Sequence, residues 1–257
     1  MSTQAIVNYH RSDIESQVYH IDADGIPGNI ISPNLDPVTV SVLDVRQGEA
    51  SVNFQDDSLV FRQSSTSVAD FESSSSWKEI YNQELSTLLI REIGAKEVIV
   101  FDHTVRVDDP EAERKPARNV HSDYSPDGAI SRLIDVLGEE KSSQWSQGHY
   151  GFVNVWRPIQ FPVISAPLGF VRPRSVNCDD WVGVKLVYPD RIGKIMGLYA
   201  NNKHEWVFLS NMQPEEVAIL NIYDSRGLAS IGHSALDLVD GRAAVRKSIE
   251  SRTLVRY

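Results

Sequence analysis

Short β-leaning runs, broken every few residues by Gly, Pro, Asn or Asp, are what most restrict the fold of this chain. Residues 5–9, 38–43, 50–54 and 59–62 carry them early, and residues 151–156, 181–187, 206–210 and 216–223 carry them late. They are rich in β-branched and aromatic side chains, as half-buried strands require. Residues 98–101 read as one more buried strand. Only two stretches have a helical period. In residues 77–93, Ile80, Leu85, Leu88, Leu89 and Ile93 recur at spacings of three to five, Ser76 stands as N-cap after a serine run, and Gly94 stands as the stop. In residues 129–137, Ile130, Leu133 and Leu137 share a face. Residues 114–118 and 138–147 are polar and read as exposed. Two helices among about a dozen strands predict a mainly β chain with flanking helices, built as a β-sandwich.

Composition closes off several classes of function. A net charge of −10 disfavours phosphate backbones, so no nucleic acid partner is expected, and the acids are spread as a solubilising surface would have them. No run approaches 18 apolar residues, so no membrane span is expected. Residues 1–8 lack the basic and apolar pattern of a secretory signal. Cys178 is the only cysteine, which forbids an internal disulfide and fits a cytoplasmic setting. No glycine-rich nucleotide loop follows a strand.

The chemistry gathers around His121-Ser122-Asp123. Residues 119–124 read as a strand, followed by the turn formers Ser125, Pro126, Asp127 and Gly128. Side chains at i and i+2 share a strand face, so His121 and Asp123 can reach one ion while Ser122 points away. One more neutral imidazole completes a face of two histidines and one carboxylate, the open arrangement of non-haem Fe(II) oxygenases. His233, 110 residues beyond Asp123, is the candidate, against the plainer reading of a hydrogen-bonded histidine near a turn. His103 reads as structural, because a fourth protein ligand would close the iron.

The C-terminal segment 246–252 adds an anion site. On a strand, Arg246, Ser248, Glu250 and Arg252 share one face. An arginine directed inward is costly unless an anion meets it, and a carboxylate fits the planar guanidinium. The far carboxylate of 2-oxoglutarate would serve, with Ser248 as hydroxyl donor. Either Arg246 or Arg252 suffices, and Arg246 is preferred. The plainer reading is a pair of exposed charges near Glu250.

These pieces resemble a known family. His121-Ser-Asp123, the string Asn154-Val-Trp156-Arg157-Pro, His233-Ser-Ala235 and the terminal Arg246-Lys-Ser248-Ile-Glu250-Ser-Arg252 are similar to the Fe(II)/2-oxoglutarate-dependent hydroxylase/desaturase family. That family groups proteins like gibberellin A4 desaturase, AsaB and CmcJ. The likeness runs from about residue 77 to the C-terminus. It implies a double-stranded β-helix, the jelly roll or cupin-like fold, binding Fe(II) through His121, Asp123 and His233, with 2-oxoglutarate as cosubstrate and O2 as oxidant. It also implies Arg246 as the cosubstrate arginine. The expected organisation is a single oxygenase domain over 1–257, with 1–76 as a strand-rich extension packed on a core at 77–257.

The implied activity is hydroxylation or desaturation of a small molecule of secondary-metabolite type. Asn154 shares a strand face with Trp156 and could hydrogen-bond the cosubstrate. Trp156 otherwise reads as core. Tyr124 could line the pocket. Arg157, Arg172 and Arg174 fit a carboxylate-bearing substrate, although Arg157 could equally salt-bridge an acid. Two rivals stand beside this reading. One is a non-oxidative isomerase or lyase on the same fold. The other is a non-catalytic β-sandwich that binds a small molecule or partner protein.

Overall fold

Sixteen strands and three α-helices make up the described residues 3–72, 75–241 and 243–257 of the computed structural model. The first strands are β1 (Thr3–His10), β2 (Gln17–Ile21), β3 (Ile30–Ile31), β4 (Leu35–Asp44) and β5 (Leu59–Gln63), with the short helix α1 (Phe54–Asp57) before β5. Helix α2 (Trp77–Ile93) leads into β6 (Glu97–Val107) and β7 (His121–Ser122), and α3 (Pro126–Ser146) into β8 (Tyr150–Pro158). Then come β9 (Leu168–Val171), β10 (Trp181–Val187), β11 (Ile192–Leu198), β12 (Trp206–Phe208) and β13 (Glu216–Asp224). The chain ends with β14 (Gly232–Ala235), β15 (Asp237–Leu238) and β16 (Lys247–Arg256).

The strands form two sheets. The larger runs β15-β1-β4-β12-β9-β14-β7-β11-β10-β2-β3, and the smaller runs β5-β13-β8-β16-β6. The N-terminal strands are woven into the larger sheet: Trp206 of β12 pairs with Val42 of β4, and Val184 of β10 pairs with Gln17 of β2.

Period-two alternation in the smaller sheet builds two cores at once. Val153 and Val155 of β8, with Val217 and Ile219 of β13, pack under α2 against Tyr81, Leu85, Leu88 and Leu89. Phe152 and Trp156, with Ala218, Leu220 and Ile222, face the other way and meet Phe170 and Val207 of the larger sheet. Each such side chain contributes about 1.5–3 kcal/mol on burial, so both faces hold the sheet in place. The described helices include none long and apolar enough to cross a membrane.

The predicted strands mostly stand, and α2 has the predicted bounds, with Gly94 at φ 71° as its left-handed stop. Ser76 sits at the N-cap position; Ser73 and Ser74 lie outside the described residues. The differences have local causes. Residues 50–54 are not a strand, because the Asn53 side chain accepts from the Asp56 amide and starts α1. The expected turn at Ser125 and Pro126 is the start of α3: Ser125 Oγ accepts from Gly128 N, and Pro126 takes the first helical position. The polar segment 138–147 continues α3 beyond a kink at Gly138 and buries Ser142 and Trp145. Ile80 and Ile130 face outward, each about half exposed.

One close approach ties the larger sheet to the chemistry. Gly197 of β11 pairs with His121 of β7. A Cβ on Gly197 would lie 2.2 Å from Cδ2 of His10. The His10 ring is buried and held by Gln17 Oε1 at 3.1 Å, so it has little room to swing. Gly197→Ala is therefore expected to cost about 1–3 kcal/mol, read as a lower urea midpoint. An unchanged midpoint would mean that the ring yields freely.

Candidate metal centre

Strand pairing removes the long sequence gap between the two histidines. His233 of β14 and His121 of β7 are direct partners across an antiparallel ladder, and their ring centroids lie 4.5 Å apart. Each ring is oriented by a backbone carbonyl two residues earlier. Nδ1 of His121 lies 2.8 Å from Asn119 O, and Nδ1 of His233 lies 3.4 Å from Ile231 O. A carbonyl only accepts, so each Nδ1 carries a proton and Nε2 is the nitrogen left to ligate a metal. Both Nε2 atoms face the same carboxylate oxygen. Asp123 Oδ1 is 3.5 Å from His121 Nε2 and 4.0 Å from His233 Nε2. One ligand atom from each residue fits within a 4.8 Å span.

The other oxygen of Asp123 is held by the smaller sheet. Oδ2 accepts from Asn154 Nδ2 at 2.8 Å and from Arg252 Nε at 2.9 Å. The carboxylate is thus split, with one oxygen toward the histidines and one on the scaffold. Arg252 also grips Asp102 at 2.7 Å and Glu250 at 3.3 Å, and Asn154 donates to Glu250 at 2.8 Å. Burial would raise the Asp123 pKa, but the Arg252 guanidinium together with His121 and His233 outweighs it and holds the carboxyl well below its usual range. Burial, reinforced by His121, pushes His233 down to about 4, so its imidazole is neutral and ready to ligate at neutral pH.

The donor set is two imidazoles and one carboxylate, and no other His, Cys, Asp or Glu among the described residues joins it. This composition, open on one side, suits non-haem Fe(II).

Comparisons agree. The family model described as "Oxidoreductase/YMDC permease-like domain" matches residues 7–256. The chain belongs to that family. The hydroxylase/desaturase efuI of Hormonema carpetanum is 29% identical over 97% of this chain and 93% of its own length. The alpha-ketoglutarate-dependent dioxygenase phiK of a fungal species is 28% identical over 92% of this chain and 90% of its own length. The solved structure of the iron and alpha-ketoglutarate-dependent endoperoxidase NvfI superposes with a TM-score of 0.86 over 98% of this chain and 97% of that one, at 24% identity. That last likeness establishes the fold. The hydroxylase/desaturase resemblance read from the motifs is borne out by these relatives.

In this family member the second cluster predicted from sequence also assembles. Arg246 is buried, donates to Ser248 Oγ at 3.3 Å and to the Ala166 carbonyl, and lies over the Trp156 ring with its Cζ 5.1 Å from the centroid. No carboxylate among the described residues comes within 4.0 Å of it. Burial, followed by repulsion from Arg106, pushes its pKa down to about 9, the mark of a cation without a counter-ion.

Several candidates sit elsewhere than the sequence suggested. Arg252 and Asn154 were candidates for the cosubstrate, but their donors are committed to Asp123 and the acids around it. Arg157 alternates to the opposite face of β8 and stacks over Tyr81 of α2, with its Cζ 5.2 Å from the ring centroid, so it faces away from the triad. Arg174 is exposed and pairs with Glu205 at 2.7 Å, and Arg172 is buried on Asp57 at 2.7 Å. Tyr124 lines an open cavity of about 560 Å³ beside Asp123 and Arg252. His103 is bonded at both ring nitrogens, to Ser251 and Asn82.

Sequence reading missed Asp102 and Arg106. Both are on β6, in register with Arg252 and Ser248 of β16. The polar alternation Asp102, Thr104, Arg106 puts these side chains on one face of β6 but does not say which strand they meet.

Arg252 deserves a test as the common counter-charge of three acids. Arg252→Gln is expected to raise the Asp123 pKa and to cut Fe(II) affinity about 10–100-fold. Because the depressed carboxyl is what Arg252 maintains, the loss should deepen as pH falls. Anaerobic Fe(II) titrations at several pH values read it, and a pH-independent affinity equal to wild type would exclude the role.

Proposed function

We propose that the chain is an Fe(II)/2-oxoglutarate-dependent oxygenase that hydroxylates or desaturates a small molecule of fungal secondary metabolism. The observation that carries this is the split carboxylate of Asp123, one oxygen facing two Nε2 atoms and the other fixed by Arg252 and Asn154. The relatives named hydroxylase/desaturase and alpha-ketoglutarate-dependent dioxygenase support the same activity. Two sheets that enclose such a site fit a double-stranded β-helix, with residues 1–257 acting as one oxygenase unit.

His121, Asp123 and His233 would hold the iron. Arg246 would take the far carboxylate of 2-oxoglutarate, and Ser248 Oγ, already accepting from Arg246, has its hydroxyl proton free to donate to the same group. When bound, iron, 2-oxoglutarate and O2 supply a two-electron oxidation of a C–H bond, with succinate and CO2 as coproducts. The protein's own task is geometric. Arg252 and Asn154 keep Asp123 ionised and aimed. Trp156 and Arg246 set the end of the cosubstrate seat. Tyr124 sits at the wall of the open cavity, where the substrate's C–H bond must be placed.

The test is an anaerobic titration. Fe(II) should bind stoichiometrically, 2-oxoglutarate should then bind in a metal-dependent way, and O2 should release succinate. Absence of metal-dependent 2-oxoglutarate binding overturns the proposal.

A further inference from the structure

The cavity beside Asp123 carries an excess of positive charge. The chain as a whole is at −10. Its 560 Å³ cavity is nevertheless lined by six cations against the carboxylates of Asp102, Asp123 and Asp135. Three of the cations are spent. Arg252 holds Asp123 and Asp102, Arg132 lies 3.8 Å from Asp135, and Arg114 lies 3.9 Å from Asp22. The remaining three, Arg106, Arg191 and Lys194, have no carboxylate within 4.0 Å among the described residues.

Their placement differs. Arg106 is half-buried on β6, directly opposite Ser248, and gives one donor to the Lys115 carbonyl, which leaves the rest of its fork free. Arg191 and Lys194 are exposed at the start of β11, where Arg191 stacks on Tyr188 at 4.3 Å. Leu186, Tyr188 and Ile195 add apolar side chains to the same lining. Arg246 is not part of this lining, while Arg106 stands between the cavity and Ser248 as its partner across β6 and β16. Burial lowers the Arg106 pKa; attraction to Glu250 offsets part of this, and repulsion from Arg252 adds to the fall.

We propose that this cavity takes a small organic acid, its carboxylate held by Arg106 and its hydrocarbon body laid against Leu186, Tyr188 and Ile195. Arg191 and Lys194 draw the anion to the mouth by long-range attraction. The placement of a C–H bond over the triad rests on the oxygenase reading; the preference for an acid does not. This assigns substrate charge to residues other than Arg157, Arg172 and Arg174, all of which are engaged elsewhere.

The experiment uses the full chain with Mn(II) in place of iron and measures binding by calorimetry. The probes are decanoate, cinnamate and a sesquiterpenoid acid, each against its own methyl ester. The acids should bind about tenfold or more tightly than the esters, the difference expected for one charge-assisted guanidinium contact. Arg106→Gln should erase that preference, and Arg106→Lys should keep part of it, with circular dichroism checking that each variant folds. Adding salt should slow association of the acids and leave the esters unaffected. Equal affinity for acid and ester, no binding by any acid, or a preference that survives Arg106→Gln overturns the inference. So does a loss of 2-oxoglutarate affinity in Arg106→Gln equal to that in Arg246→Gln, which would assign Arg106 to the cosubstrate. Wild-type protein that prefers acids but never binds 2-oxoglutarate would leave this inference standing and remove the oxygenase function instead.

Discussion

Replacing His233 by alanine is expected to remove Fe(II) binding and turnover together while the fold stands. The two imidazoles are cross-strand partners, so losing one leaves a two-point chelate of His121 and Asp123. The fold should survive because the backbone of residue 233 keeps its pairing with both Phe170 and His121. The buried ring is also neutral, with a pKa near 4, so its removal strands no counter-charge. Two neighbours sharpen the test. His121→Ala should behave in the same way, since its Nε2 faces the same oxygen of Asp123. Arg174→Gln should leave turnover at the wild-type level, because that side chain pairs with Glu205 on the surface. Metal content after anaerobic loading, circular dichroism and succinate release measure the three quantities. Succinate release by metal-loaded His233→Ala at the wild-type rate would remove His233 from the centre.

What the sequence showed and what it hid follow from the range of each interaction. The i, i+2 spacing of His121 and Asp123 is local, and it correctly put both on one side, although the strand itself stops at Ser122. The helix at 77–93 was legible because its apolar period, its preceding serine and Gly94 all point the same way. Local signals were also misread. Ser125-Pro126 is as good a helix start as a turn, and only the N-cap bond to Gly128 N decides. Asn53 gave residues 50–54 a cap where their β-leaning composition suggested a strand. Arg157 could have been resolved from alternation alone, since Asn154 and Trp156 facing the triad force Arg157 to the α2 side. The roles of Asp102 and Arg106 were of another kind. They depend on the register of β6 against β16, strands about 150 residues apart in sequence, which no local pattern encodes. The same holds for the pairing of His121 with His233.

Arg246→Met should move stability and 2-oxoglutarate affinity in opposite directions. A buried guanidinium without a carboxylate costs the folded protein several kcal/mol, against about 1 kcal/mol for each hydrogen bond to Ser248 and Ala166. The balance favours the apolar variant, since methionine refills most of the stem volume and keeps contact with Trp156. The ligand-free variant is therefore expected to be at least as stable as wild type in urea. Its 2-oxoglutarate affinity should fall at least about 30-fold, because truncating one side of a buried charged pair costs ~2–5 kcal/mol. Saturating cosubstrate should then raise the Tm of metal-loaded wild type and leave the variant unmoved. Either departure is informative. A variant that is less stable without ligand makes Arg246 a structural residue tied to Ala166. A variant that still binds 2-oxoglutarate as wild type does shows that the far carboxylate is held by some other cation, and Arg106, opposite Ser248 on β6, is the one within reach.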